Sequence, residues 1–517
     1  MAPGCTTFTG LLGISLGVLI AGAARAPAAE QRPLWLAVVR TELAAPLQPL
    51  AAKRRSEGLE AVISTKSVAE ALAAAPRRPD FLLLVGDDQP GMQQAPWYLP
   101  TKRMKLYRWR KTQAEEFAAD AAWGDLDGDL LPDIPVGRIP AQTRAQVELA
   151  VRKILLFERR PPTAADLQLV VWLGSPEYGA VIDTVASGFG VGMVRTAAPA
   201  WLCPWFISGN PRDPFCGWPP DQPARFTRQI KQGGLLSVLL GHASAETFYS
   251  MTFQQQQIAY TAADAAHELA KGPPAAPMVF FSCASGNFVG GRPCLAKSLL
   301  FLPGGPVATI GATTESHPLT NYFSSVCLLK GLAGREKRLG TVWLNAQRQA
   351  RQSRNFLVEM ALRDVEGKLE PQINVEKLRR DQMLMYALLG DPATRLRLPE
   401  PLKASIERTA AGWRWKAEKP AGATHLEVGY RSAEPVPSPE GTGAAQEREQ
   451  RARAAEAANA ALAFISLPAP PDNGPWEGTV ARPGWVRLVA TGPDALYAIV
   501  LKLPAEKGDR HRGGNVN

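Results

Sequence analysis

Short runs dominated by apolar residues alternate with helix-period segments along the first two thirds of the chain. Leu34 to Val39, Ala61 to Ser64 and Phe81 to Val85 are such runs, and Pro49 to Glu57 and Val68 to Ala75 repeat at helical spacing between them. Runs buried on both faces and separated by crossover helices describe a parallel sheet wrapped by helices. After Arg160-Pro161-Pro162 the pattern restarts, with a strand over Leu167 to Gly174, a helix over Tyr178 to Phe189 and a strand over Val191 to Thr196. Further apolar runs at Leu235 to Leu240, Pro277 to Ser282 and Pro306 to Thr313 are spaced by helical patterns over Ala259 to Lys271 and Leu295 to Phe301. Helical patterns over Thr320 to Arg354 and Val375 to Leu389 follow, and Gly390-Asp391-Pro392 stops the last of them. The economical fold class is α/β, with two tandem units over residues 29–165 and 166–397.

Beyond Pro399 the period changes to two. Gly412 to Lys416, His425 to Arg431, Gly484 to Ala490 and Leu496 to Lys502 alternate between apolar and polar residues, as strands of a small β-sandwich over 398–506 do. A polar, Ala-rich helix over Ala444 to Leu462 interrupts it, and residues 507–517 form a polar tail. At the other end, Leu11 to Ala24 is apolar and of signal-peptide length, and Ala26-Pro27-Ala28 supplies small residues for cleavage, although no Lys or Arg precedes the run. Residues 1–28 are therefore expected to be a signal peptide, and the mature chain secreted, periplasmic or on the cell surface. No later run approaches about 18 uninterrupted apolar residues, so stable membrane insertion is not expected.

Composition narrows the class. A chain of 517 residues that is 46% hydrophobic and 21% charged is globular, with a prior of about three domains. Its net charge of +10 is spread out, the densest stretches being Arg77-Arg78 and Lys102 to Lys111, so no nucleic-acid partner is expected. Of the six cysteines, Cys203 and Cys216 flank a loop rich in Pro, Gly and Trp, which suits a local disulfide in an exported protein; two separately buried thiols are the alternative. No zinc spacing is present.

In an open parallel sheet ligands bind beyond the carboxyl ends of the strands. Two of those ends carry reactive groups: Leu235 to Gly241 runs into His242-Ala243-Ser244, and Pro277 to Ser282 runs into Cys283-Ala284-Ser285. Forty-one residues separate His242 from Cys283, enough for one crossover, so the two strands can be neighbours. An imidazole beside a thiol favours the nucleophilic thiolate, and backbone N–H groups at both turns can receive an oxyanion. A cysteine ending a buried strand also serves as a small core side chain, and a histidine there as a hydrogen-bonded core residue. Residue pattern alone leaves both readings open. Separately, Asp125, Asp127, Asp129 and Asp133 offer carboxylates at alternate positions, as calcium loops do, while a solvated acidic turn accounts for the same residues.

Several of these blocks together resemble the gingipain-type cysteine peptidases of the caspase-like group. The resemblance lies in Leu84-Val-Gly-Asp-Asp88, Asp125 to Ala141, Gly241-His242, Cys283 with Gly286-Asn287-Phe288, Cys294-Leu-Ala-Lys297, Gly304 to Thr313 and Leu389-Gly-Asp-Pro392, and so covers most of residues 80–395. It implies a caspase-like parallel-sheet sandwich in two tandem subdomains, followed by an immunoglobulin-like β-sandwich. It also implies an endopeptidase acting on protein or peptide substrates, with His242 as general base and acid and Cys283 as nucleophile through a thioester. Calcium as a structural cofactor at the four aspartates fits the family. The segment after the strand following the Cys strand, Glu315-Ser316-His317, together with Ala243 and Ser282, is expected to contact substrate, with Glu315 suited to a basic side chain. One residue departs from the family: Ala243 stands where glycine usually follows the catalytic His. That motivates another reading, a catalytically impaired caspase-like binding or scaffold protein. A sorting peptidase or transpeptidase of secreted proteins, in which an amine competes with water for the thioester, shares the same residues.

Overall fold

The computed structural model describes residues 32–107, 115–356, 358–360, 374–432 and 444–504. The expected signal peptide and polar tail lie outside the described residues. Ten strands form one sheet in the order Glu60–Ser64, Leu34–Val39, Phe81–Val85, Val136–Ile139, Tyr386–Leu389, Thr309–Ala312, Met278–Phe281, Leu236–Leu240, Gln168–Leu173, Cys203–Ser208. Alternation along Gln168–Leu173 explains why its strands read as continuous apolar runs. Leu169, Val171 and Leu173 pack with Val238, Val279 and Ile310 in one cluster, whereas Val170 and Trp172 pack with Leu239 and Phe280 in another, so both faces are covered. Strands from residues 29–165 and from residues 166–397 adjoin in this sheet at a single register pair, Leu389 with Arg138.

The structure corrects four expectations. The apolar end of the segment Val375 to Leu389 is not helical. The helix stops at Met385, and Tyr386–Leu389 is a strand antiparallel to Thr309–Ala312, which makes the sheet mixed rather than all-parallel. Val191 to Thr196 is not a strand but belongs to the helix Ala180–Ala197, whose buried Ser187, Val194 and Ala197 recur at helical spacing. Ala259 to Lys271 is mostly not helical, since Thr247–Phe253 and Gln256–Thr261 form a hairpin before a short helix, Ala262–Ala266. Finally, Cys203 and Cys216 are both thiols. Cys203 Sγ is 3.7 Å from Leu462 O, and Cys216 is buried against Gln222 Nε2 at 3.4 Å.

After residue 400 the chain forms a five-stranded and a three-stranded sheet that share one apolar cluster, with Trp415 and Trp476 from the smaller sheet and Leu426, Val428, Val486 and Leu488 from the larger. The helix Ala444–Leu462 leaves this region and lies on Cys203–Ser208, the edge strand of the large sheet. There Asn459 Oδ1 accepts from Phe206 N (2.7 Å) and its Nδ2 donates to Phe206 O (3.0 Å). A side-chain amide thus satisfies one residue's outward backbone groups on the edge strand that the helix covers.

Candidate active site

His242 and Cys283 leave neighbouring parallel strands at the same end. Leu240 pairs with Phe281, so each residue lies two positions beyond the last pair of the ladder, on strands spaced about 4.8 Å apart. On the histidine side, backbones crowd. A Cβ on Gly241 would lie 3.0 Å from Gly174 Cα, and one on Gly174 would lie 2.7 Å from Tyr249 O. A side chain at Gly174 would displace backbone and one at Gly241 would crowd it, and beyond Gly241 the chain turns into the short strand His242–Ala243, paired opposite Tyr249 and Phe248. The imidazole is exposed at the edge. Ala243, on the opposite side of the strand, packs against the apolar cluster that holds Phe248, so its methyl group is directed away from the face that presents His242.

Cys283 sits on a strained turn. Ala284, next in sequence, has φ 50°, a left-handed value that costs a residue with a Cβ. Ala284 N donates to Thr314 O and Gly286 N to Ala312 O, both at 2.8 Å, which fixes the turn on the strand Thr309–Ala312. The Cys283 thiol is 3.6 Å from Ser316 O, and Ser316 Oγ is 4.0 Å from its sulfur. Behind Ser316 lies a buried polar network. Asn321 Nδ2 donates to Ser316 Oγ (2.9 Å), while Tyr386 OH (2.6 Å) and Gln382 Nε2 (3.1 Å) donate to Asn321 Oδ1. Burial pushes the Tyr386 phenol up, which keeps it a neutral donor.

The short helix Leu295–Leu300 ties the two loops together, since Leu295 N donates to Ala245 O (2.7 Å) and Ala296 N to Ser285 O (3.0 Å). Cys294 caps it, with Sγ 3.5 Å from Lys297 N, and burial pushes its thiol up to about 11. The first half of the sheet reaches the same place. Lys297 pairs with Asp87, and the Arg138 guanidinium, bound to Asp120 through two nitrogens, lies 5.0 Å from the Phe288 ring.

The expected substrate residues separate. Ser316 touches the nucleophile candidate, although it is buried, and Glu315 is half-buried beside it. Ser282 and His317 are both buried. Ser282 is buried under the turn with Oγ 3.3 Å from Ser285 Oγ, and His317 is buried with Nδ1 accepting from Leu319 N (3.1 Å) as cap of the helix Pro318–Gly331. Of the four aspartates, Asp125, Asp127 and Asp133 each bring one carboxylate oxygen within 4.8 Å of the others. Asp129 stands outside the group, its Oδ1 accepting from Leu131 N at 2.8 Å. Sequence reasoning missed Asn321, Gln382 and Tyr386. Their signal was polar residues set among apolar ones in the helical segments after Pro318 and before Leu389.

The large mixed sheet covered by helices is that of the caspase-like α/β fold. More particularly, the chain belongs to peptidase family C25, the gingipain family, whose model matches residues 28–397. Among solved structures it is similar to the Arg-specific cysteine proteinase gingipain R (RgpB), at TM-score 0.53 and 12% identity over 92% of this chain and 99% of that one. It is also similar to the complex of the pro- and mature domains of RgpB from Porphyromonas gingivalis, at TM-score 0.51 and 12% identity over 90% and 99%. A further similar structure is that of a protease, at TM-score 0.52 and 13% identity over 91% and 97%. At such identities the likeness is one of fold. No curated protein sequence matches the chain. Among the described residues no helix is long and apolar enough to cross a membrane.

Proposed function

We propose that the chain is an exported cysteine endopeptidase in which Cys283 is the nucleophile and His242 the general base and acid. The observation that carries this reading is the pairing of Leu240 with Phe281, from which both side chains emerge at one edge. His242 takes the thiol proton, and the thiolate adds to the scissile carbonyl. The tetrahedral intermediate collapses to a thioester as His242 returns the proton to the departing amine. Water, deprotonated by His242, then splits the thioester to a carboxylate and restores the thiol. The inward packing of Ala243 supports an unobstructed site. Residues 29–165 and 166–397 serve as the two subdomains of the peptidase, residues 398–506 as an immunoglobulin-like sandwich, and residues 1–28 as the export signal.

Asp125, Asp127 and Asp133 are proposed to hold calcium. Three converging carboxylates suit a hard cation, and Arg78, 3.2 Å from Asp133 Oδ1, leaves most of their charge uncompensated. The peptidase assignment is tested with a thiol-directed peptide probe. Cys283→Ala is expected to abolish labelling and Cys294→Ala to leave it intact; labelling that survives Cys283→Ala removes the nucleophile assignment.

A further inference from the structure

The described residues expose twelve large apolar side chains, and five of them, Tyr178, Val181, Ile182, Val185 and Phe189, fall in one short segment. Val181, Val185 and Phe189, at 75%, 68% and 49% exposure, recur every four residues along the helix Ala180–Ala197 and form a single ridge. Such a concentration of apolar surface on a water-facing helix marks a contact site.

The helix starts at the edge of the sheet that carries His242 and Cys283. The helix follows the strand Gln168–Leu173, which pairs directly with the strand leading to His242, and Gly174 packs on Gly241. At the far end of the ridge the Phe189 ring lies 5.4 Å from the Tyr322 ring. Tyr322 adjoins Asn321, whose amide holds Ser316 Oγ beside Cys283. The single carboxylate of the helix, Asp183, accepts from Tyr178 N at 3.0 Å. The helix contains no lysine and one arginine, Arg195, so it lacks the basic rim of a helix that lies on a membrane.

We propose that this ridge is the substrate-recognition face of the peptidase and seats apolar side chains of an extended polypeptide beside the bond presented to Cys283. The proposal rests on the peptidase reading above, which already requires a polypeptide along this edge. It makes apolar segments the preferred substrate class, rather than the basic residue that Glu315 alone suggests.

Binding and turnover separate the two readings. Fluorescent peptides rich in Val, Leu and Phe are compared with Ser- and Asn-rich peptides of equal length, for binding to Cys283→Ala protein and for cleavage by wild type. At least tenfold tighter binding of the apolar series is expected, reduced to within twofold in Cys283→Ala carrying Val181→Ser and Val185→Ser. Those two positions are exposed and make no ring contact, and an unchanged thermal midpoint confirms the fold. Equal binding of both series, or binding unaffected by the double change, overturns the ridge whatever the turnover. Loss of phosphatidylglycerol-vesicle binding or of self-association in the double variant, with peptide binding intact, also overturns it and assigns the face elsewhere. Apolar binding without any cleavage leaves the ridge standing and removes the peptidase reading.

Discussion

Lys297 Nζ lies 2.5 Å from Asp87 Oδ2, and the pair joins the two halves of the sheet beneath the loops that carry His242 and Cys283. Asp87 follows the strand Phe81–Val85, and Lys297 belongs to the helix whose first amides hold Ala245 O and Ser285 O. Both side chains are nearly inaccessible. Lys297→Met is expected to leave the Asp87 carboxylate buried with Gln142 Nε2 (2.7 Å) as its remaining side-chain partner on Oδ2, at a cost of about 3–5 kcal/mol in denaturant unfolding. Adding Asp87→Asn should restore part of that loss. A single-variant cost below about 1 kcal/mol would show that the pair does not hold the halves together.

The turn after Cys283 offers a second test. Ala284 at φ 50° is strained, so Ala284→Gly should raise stability by about 0.5–1 kcal/mol. Two residues on, a Cβ at Gly286 would lie 2.3 Å from Gly311 O, against backbone that cannot rotate away. Gly286→Ala should therefore destabilise by more than 1 kcal/mol and slow alkylation of Cys283 by displacing the turn. Opposite signs two residues apart, read by thermal melts, would confirm this geometry; two destabilising changes would not.

Thiol reactivity should separate the cysteines by burial. Cys294 is pushed up to about 11 and Cys216 up to about 12, both chiefly by loss of solvent. At pH 8 about one molecule in a thousand carries the Cys294 thiolate, a fraction that grows tenfold per pH unit. Iodoacetamide at pH 8, followed by peptide mass mapping, should modify Cys283 in the native protein and reach Cys294 and Cys216 only after unfolding.

Lys153 gives stability a pH dependence. Its side chain is enclosed, with Nζ donating to Leu300 O (2.5 Å) and Leu302 O (2.9 Å), and burial pulls its pKa down to about 7. In the unfolded chain a lysine titrates near 10.4. Between these values the unfolded chain holds a proton that the native state lacks, so stability rises with pH, by up to about 1.4 kcal/mol per unit. Below about pH 7 both states are protonated and the slope vanishes. The stability of wild type minus that of Lys153→Met should climb from pH 7 to pH 10; a flat difference would mean that the two carbonyls keep the ammonium charged.

The central strands were legible in the sequence because they are buried on both faces, so that Leu34 to Val39 and Phe81 to Val85 read as apolar runs with the boundaries observed. The positions of His242 and Cys283 at strand ends followed from the same runs. Where a run had two interpretations, legibility failed. Met383 to Leu389 is apolar enough for helix or strand, and tertiary pairing with Thr309–Ala312 decides it. The hairpin after Ala243 turns on Gln254 and Gln255 at φ 48° and 63°, residues that carry none of the usual Asn-Gly signal. The network behind Cys283 was invisible for another reason. Asn321 meets Gln382 and Tyr386 across 61 and 65 residues, a separation that local pattern does not span.

The acidic loop provides the last prediction. The Asp125 carboxylate accepts from Gly128 N (2.8 Å) and Leu130 N (3.0 Å), and Asp133 Oδ2 from Leu126 N (3.0 Å), so backbone bonds already shape the loop. Those bonds orient the carboxylates but do not neutralise them, and three charges within 4.8 Å repel unless a cation is shared. A cation bound only by the folded chain stabilises it by RT ln(1 + [L]/Kd), about 2.7 kcal/mol at a hundredfold excess over Kd. Calcium should raise the thermal midpoint and chelator lower it. Asp127→Asn, which removes a charge from the most exposed of the three, should weaken the response, whereas Asp129→Asn, outside the group, should preserve it. If wild type melts at the same temperature with calcium and with chelator, the segment is an ordinary acidic turn held by its backbone.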